Sequence, residues 1–216
     1  MKNNIEYSED VLPQRAALVV IDITRDSLLP PEESGIALIG APEAVENSRR
    51  VVNAARQAGL PIIFVQELHR RTLVDFGREL DGAEGLHCLE GSVGAQFLDD
   101  LRPHDDEYYI PKRRYSAFFG TDMEILLKGL KIETLVLIGF LTDVCVHYTG
   151  ADAHQHDYRI RVVRECVAGS SVEAHNASLN ALDYLQSGAV VSVDQMLNAL
   201  QSHAANSSRI PQEAFA

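Results

Sequence analysis

The chain has 216 residues and a formal net charge of −12, with 46% hydrophobic and 23% charged residues. This balance predicts one soluble domain with a sizeable core, and the acidic surface argues against nucleic acid or an anionic membrane as a partner. No apolar run approaches the roughly 20 residues that cross a bilayer, and the first ten residues lack the apolar stretch of a secretory signal, so a cytoplasmic location is expected.

Apolar runs alternate with helical patterns along the chain. The predicted elements are a strand at 17–21, a helix at 42–58 that stops at Gly59, a strand at 61–65, a helix at 92–101, strands at 107–111 and 134–138 around a helix at 121–130, a helix at 144–157, a strand at 159–163, a helix from 170 that breaks at Gly188, and a strand at 189–193. This alternation predicts an α/β domain over 1–216 whose sheet is mainly parallel and covered on both faces. The segments 1–13 and 202–216 are predicted to be loose.

Three chemically capable residues follow predicted strands. Asp22 comes after the first strand, Lys112 after the third and Cys145 after the fourth. In parallel sheets the carboxyl ends of strands share one edge, where ligands bind. Taken singly, each residue has an ordinary alternative: a turn aspartate, a solvated lysine and a small buried cysteine.

The surroundings of Cys145 favour the reactive interpretation. Gly139 permits a sharp turn, and Thr142 is positioned to cap a helix that has Cys145 in its first turn. A thiol at a helix N-terminus is expected to have a lowered pKa. The other cysteines, Cys88 and Cys166, are interpreted as structural, because three widely spaced cysteines do not form a disulfide framework.

Three segments carry a family resemblance: LVVIDITRD around Asp22, KRRYSAFFGTD from Lys112, and GFLTDVCVHYTGADA around Cys145. In order and spacing they resemble the isochorismatase-like cysteine hydrolases, which include nicotinamidases, N-carbamoylsarcosine amidase and ureide hydrolases. The resemblance spans about residues 14–195. It implies a Rossmann-like three-layer α/β/α fold with a six-stranded sheet and an Asp22–Lys112–Cys145 triad. It also implies a cis peptide between Phe140 and Leu141 and an oxyanion hole formed by the N–H groups of Leu141 and Cys145.

The implied activity is hydrolysis of a C–N bond through a thioester on Cys145, with no cofactor required for that chemistry. The expected substrate is a small carboxamide, carbamoyl or ureido compound. Three alternatives remain at this stage: a nicotinamidase, an isochorismatase that cleaves a vinyl ether, and a binding module without activity. The resemblance also implies a homodimer or homotetramer.

A second group of residues suits a metal. Glu67, His69 and His87 resemble the ligand pattern of metal-dependent nicotinamidases, with Glu67 in place of an aspartate. A carboxylate and two imidazoles fit zinc, iron or manganese. The alternative interpretation is a surface Glu–His pair and a buried histidine with a single hydrogen bond.

Substrate contacts are predicted from position. Ser27 and Glu84 stand where nicotinamide-binding relatives place aromatic residues, so nicotinamide is disfavoured. The expected polar lining is Arg25, Ser27, Glu84 and Arg113, with either arginine able to pair with a substrate carboxylate. Apolar walls are expected from Tyr115 and Phe118, together with Phe119, although all three also suit packing beneath the loop.

Overall fold

The computed structural model describes residues 11–13 and 15–207. Six strands form one sheet in the order β3-β2-β1-β4-β5-β6, and every strand pair is parallel. The strands are β1 (Ala16–Ile21), β2 (Ile62–Glu67), β3 (Tyr108–Lys112), β4 (Thr134–Phe140), β5 (Arg159–Ala168) and β6 (Val190–Val191). The predicted α/β fold with a six-stranded sheet is therefore confirmed.

Helices cover both faces of the sheet. They are α1 (Pro31–Ser34), α2 (Ala41–Ala58), α3 (Met123–Gly129), α4 (Cys145–Gln155), α5 (Val172–Leu185) and α6 (Val193–Ser207), with 3₁₀ helices at Arg25–Leu28 and Glu79–Asp81. One core forms between the sheet and α2 and α6, and the other forms beneath α3, α4 and α5. The domain thus has three layers.

The central strands explain the continuous apolar runs in the sequence. Every residue of β1 and of β4 is buried. Successive side chains point to opposite faces of a strand, so Leu18 and Val20 enter one core while Val19 and Ile21 enter the other.

The predicted helix at 92–101 is wrong. This segment has turns instead, and Phe97 forms an isolated antiparallel bridge with Thr24. Its carbonyl groups accept hydrogen bonds from the first 3₁₀ helix, since the Arg25 N–H donates to Gln96 and the Asp26 N–H donates to Gly94. Backbone groups that bind a distant segment are no longer available for an i to i−4 ladder.

The predicted loose tail also needs correction. Helix α6 continues through Ser207, so 202–207 is helical, and Met196 and Leu200 of this helix are buried against the sheet. Residues 208–216 lie outside the described residues, as do 1–10. Leu12, at the other end, is packed in the α2 and α6 core. Among the described helices, none is long and apolar enough to cross a membrane.

Candidate active site

The side chains predicted from strand ends meet at the carboxyl edge of the sheet. Asp22 directly follows β1, Glu67 ends β2, Lys112 ends β3, and Cys145 begins α4 after β4. Strand order changes direction between β1 and β4, with β2 and β3 on one side and β5 and β6 on the other. Ligands bind at such a switch point in parallel sheets.

Lys112 is the centre of this group. Its side chain is fully buried, and its Nζ lies 2.9 Å from Asp22 Oδ2, 2.5 Å from Glu67 Oε2 and 3.3 Å from Cys145 Sγ. Burial alone would lower the pKa of Lys112, but the surrounding acidic groups raise it well above its usual value. The ammonium therefore stays charged next to the thiol.

The two carboxyl groups beside Lys112 differ in their surroundings. Asp22 has a left-handed backbone with φ of 53°, and its Oδ1 accepts a 2.6 Å hydrogen bond from the Glu67 N–H. Burial raises the pKa of Asp22 despite the charge of Lys112. Burial also acts to raise the pKa of Glu67, but Lys112 and the neighbouring His69 and His87 hold it well below its usual value.

Cys145 is 5% exposed and contacts both Lys112 and Glu67, with 3.4 Å from Sγ to Glu67 Oε2. The expected lowering of the thiol pKa is wrong, because burial raises it well above its usual value, against the effect of Lys112. The expected cap is also wrong. Thr142 pairs with His175 Nδ1 at 2.9 Å, and α4 begins without a side-chain cap.

The turn between β4 and α4 brings Leu141 to the same place. The Phe140–Leu141 peptide bond is cis. Before it, Gly139 has φ of 114°, and a Cβ there would lie 1.9 Å from the Ile21 carbonyl oxygen, so only glycine permits this approach of β4 to β1. The Leu141 carbonyl accepts hydrogen bonds from the N–H groups of Val144 and Val146.

A cluster of four buried residues adjoins the Lys112 group. Glu67, His69, Glu79 and His87 each offer a donor atom, and these atoms lie within 4.8 Å of one another. His69 Nε2 is 3.0 Å from Glu67 Oε1 and 3.1 Å from Glu79 Oε2. Burial alone lowers the pKa of His69, but these two carboxylates raise it to about 9.

The donor set fits a divalent metal. Glu79 Oε1 is buried without a hydrogen-bond partner, and Oε2 faces His69 Nε2, which also contacts Glu67. Buried carboxylates are costly unless they are paired or bind a cation. His87 Nδ1 lies 2.7 Å from the Gly85 carbonyl oxygen, and donation to it leaves Nε2 facing the cluster as a free ligand atom. Glu79 was missed in the sequence, because its position relative to His69 and His87 follows no helix or strand period.

The pocket above these groups has an empty volume of about 460 Å³, counting its open mouth. Of the predicted contacts, Ser27 and Glu84 line it. The full lining is Asp22, Thr24, Asp26, Ser27, Ile36, Leu38, Glu67, Glu84, His87, Cys88, Phe140, Leu141 and Cys145.

The other four predicted contacts are placed elsewhere. Arg25 pairs with Asp99 at 2.9 Å on the surface, and Arg113 pairs with Glu90 at 2.6 Å. The ring of Tyr115 stacks on Tyr148, and the ring of Phe118 stacks on His156. None of these four side chains is part of the pocket lining, and the predicted contact of an arginine with a substrate carboxylate stays a prediction.

Residues 16–195 match the family model described as the isochorismatase domain. The chain belongs to the isochorismatase family. A "probable inactive nicotinamidase" of Arabidopsis thaliana is 34% identical, over 77% of this chain and 87% of that protein. The maleamate amidohydrolase of Pseudomonas putida is 29% identical, over 85% of this chain and 86% of that protein.

Solved structures of family members resemble this chain in both fold and sequence. The N-carbamoylsarcosine amidase of Thermoplasma acidophilum superposes with a TM-score of 0.70 at 29% identity, over 83% of this chain and 97% of that one. The family to which this chain belongs therefore includes enzymes that hydrolyse C–N bonds other than peptide bonds.

Proposed function

We propose that this protein is an amidohydrolase that cleaves a C–N bond of a small carboxamide, carbamoyl or ureido substrate through a thioester on Cys145. The observation that carries the proposal is the fully buried Lys112 ammonium, which contacts the Cys145 thiol and the carboxylates of Asp22 and Glu67. A buried cation beside a thiol stabilises the thiolate as it forms, and an adjacent carboxylate takes its proton.

In the acylation half, the Cys145 proton passes to Asp22 and the sulfur bonds to the substrate carbonyl carbon. The N–H groups of Leu141 and Cys145 are proposed to donate hydrogen bonds to the resulting oxyanion. The C–N bond then breaks, and Asp22 returns the proton to the departing nitrogen. The products of this half are a thioester and ammonia or an amine.

In the deacylation half, Asp22 takes a proton from water as the water oxygen bonds to the thioester carbon. The C–S bond breaks, and the proton restores the Cys145 thiol. The same carboxyl group thus acts as a base twice and as an acid twice in one turnover.

A metal is proposed as an additional feature. Glu67, His69, Glu79 and His87 would hold zinc, iron or manganese, whose chemistry when bound is to polarise or orient a substrate. The thioester steps use only this chain's own residues. Metal analysis of untagged protein tests this part, and a metal content near zero after mild purification contradicts it.

The decisive experiment for the activity is an ammonia-release screen over small amides and ureides. Cys145→Ala is expected to lower turnover by about 10³-fold or more, because it removes the nucleophile. Cys166→Ala is the matched control, since Cys166 is buried in the α2 and α6 core on the other side of the sheet. Mass spectrometry of the wild type during turnover should detect an acyl group on Cys145, and full turnover by Cys145→Ala contradicts the proposal.

A second candidate is a nicotinamidase-like protein without activity, favoured by the similarity to the Arabidopsis protein. Under that alternative no amide in the screen is hydrolysed, and Cys145 shows the reactivity of an ordinary thiol toward iodoacetamide.

A vinyl-ether hydrolase is disfavoured because such chemistry does not require a thiol held against Lys112. The cytoplasmic location and the homodimer or homotetramer remain predictions.

A further inference from the structure

The pocket has an unbalanced charge. Four carboxyl groups line it, those of Asp22, Asp26, Glu67 and Glu84, and no lysine or arginine stands among its lining residues. Lys112, beneath the pocket, pairs with Asp22 and Glu67. Asp26 and Glu84 have no lysine or arginine within 4.0 Å anywhere in 11–13 and 15–207.

Asp26 is held at the pocket by the surrounding backbone. Its N–H donates to the Gly94 carbonyl at 2.9 Å. A Cβ at Gly94 would lie 1.8 Å from Asp26 Oδ1. The carboxylate therefore occupies space that is open because residue 94 has no side chain. The carboxylate is therefore built into the lining rather than free on the surface.

Glu84 faces the pocket from the segment between Glu79 and His87 of the metal cluster. Its side chain is 20% exposed, and its nearest cationic candidate is His87, whose Nε2 is 3.9 Å from Oε2. In the cluster, Glu67 and Glu79 both contact His69, at 3.0 and 3.1 Å, and Glu67 also contacts Lys112. Asp26 and Glu84 add two further carboxylates, for which the pocket lining supplies no lysine or arginine.

We propose that Asp26 and Glu84 select the substrate by charge, so that the pocket prefers small amides or ureides with a cationic far end, then neutral ones, and disfavours those with a carboxylate. The proposal rests on the proposed function, because it names the substrate class of that site. It also separates this chain from its maleamate-hydrolysing relative, whose substrate carries a carboxylate.

The first test does not depend on turnover. Cys145 is modified with two methanethiosulfonates of similar size, one ending in trimethylammonium and one in sulfonate, and peptide mass spectrometry assigns the site. The ratio of cationic to anionic rates, divided by the same ratio for free cysteine, is expected to be about tenfold or more at low salt. It should fall as salt is added, since salt screens the exposed mouth of the pocket.

Isosteric variants identify the source of the effect. Asp26→Asn and Glu84→Gln are each expected to lower the ratio severalfold. Glu133→Gln is the matched control, because it removes the same charge from an exposed side chain directly before β4, at the opposite edge of the sheet. The normalised reagent ratio of the wild type and its salt dependence are measured without any variant. They therefore still test the proposal if a variant fails to fold.

The second test uses amides of equal length that end in ammonium, methyl or carboxylate, with kcat/KM falling in that order. A normalised reagent ratio of one or below overturns the charge proposal, as does a preference for the carboxylate amide. Lack of reaction at Cys145 with both reagents also counts against it, because the pocket would then not admit a small cation. If no amide is hydrolysed while the reagent ratio is high, the amidohydrolase proposal fails and the charge preference stands.

Discussion

The two edges of the sheet both carry charged groups, but these are balanced in different ways. At the amino edge, Arg56 near the end of α2 makes two hydrogen bonds to Glu107, which precedes β3, at 2.8 and 3.0 Å. At the carboxyl edge, Lys112 faces two carboxylates and a thiol beside a cluster in which Glu79 Oε1 is buried without a hydrogen-bond partner. At the amino edge the carboxylate is paired with an arginine. At the carboxyl edge the carboxyl groups outnumber the lysine that pairs with them.

This difference separates a structural ion pair from a functional site. A bidentate pair with its hydrogen bonds satisfied has no capacity for another ligand. Buried carboxylates without partners are costly and are retained where a cation, a proton or a substrate compensates them. The same residue types thus serve stability at one edge and, in the proposed function, chemistry at the other.

The largest expected effect comes from removing the cation at the carboxyl edge. Lys112→Met is expected to lower kcat/KM by about 10³-fold or more, because the developing thiolate loses its stabilising charge. It should also destabilise the fold by about 3–5 kcal/mol, since two buried carboxylates lose their partner. Amide hydrolysis and urea unfolding measure the two effects. Lys128→Met is the control, because Lys128 is exposed and pairs with Glu124 on the surface. Equal losses in both variants would contradict the role of Lys112.

A smaller effect should distinguish the two carboxyl groups. Asp22→Asn is expected to reduce kcat by about 10²–10⁴-fold, the range for loss of a general base. Glu67→Gln should reduce it less, while also weakening any bound metal. Steady-state kinetics with metal content measured in parallel tests this order. A greater loss for Glu67→Gln at unchanged metal content would assign the base to Glu67, which also lies 3.4 Å from the thiol.

The metal cluster provides a third test. Glu79→Gln is expected to lower metal affinity by about 10–100-fold, because it removes one charged donor from the four. Titration with zinc and a competing chelator gives the affinity without reference to activity. Asp81→Asn is the matched control in the same 3₁₀ helix, since Asp81 pairs with Arg78 on the surface. Affinity that is unchanged in Glu79→Gln rules this residue out as a ligand.

The smallest effect is expected at the amino edge and concerns stability alone. Glu107→Gln should cost about 1–3 kcal/mol near neutral pH, because a charge-assisted pair is lost. Burial acts to raise the pKa of Glu107, but hydrogen bonds from Arg56 and the His104 N–H lower it below its usual 4.5. Its contribution is therefore complete above about pH 4.5 and disappears as pH falls through the lower folded pKa. Urea unfolding across this range checks that the gap between variant and wild type narrows in acid, with amide hydrolysis near neutral pH unaffected.

Much of the fold was predictable because its signals are local. The apolar run at 17–21 indicates a strand buried on both faces, and β1 has every residue buried. Asp22, Lys112 and Cys145 were predicted to meet because parallel strands end at one edge, and Lys112 contacts both others. The predicted helix at 92–101 was wrong because the backbone of this segment forms hydrogen bonds with residues some 70 positions earlier.

The sequence by itself determined the layered α/β fold and the edge at which Asp22, Lys112 and Cys145 gather, since burial patterns and strand ends are written in short stretches. Only the tertiary structure decided that Glu79 joins the histidine cluster, that Arg25 and Arg113 pair away from the pocket, and that Asp26 faces into it. These outcomes depend on which distant side chains compete for each charge. Which charged groups pair depends on the distances between residues that are far apart in the sequence, and a local sequence pattern does not give those distances.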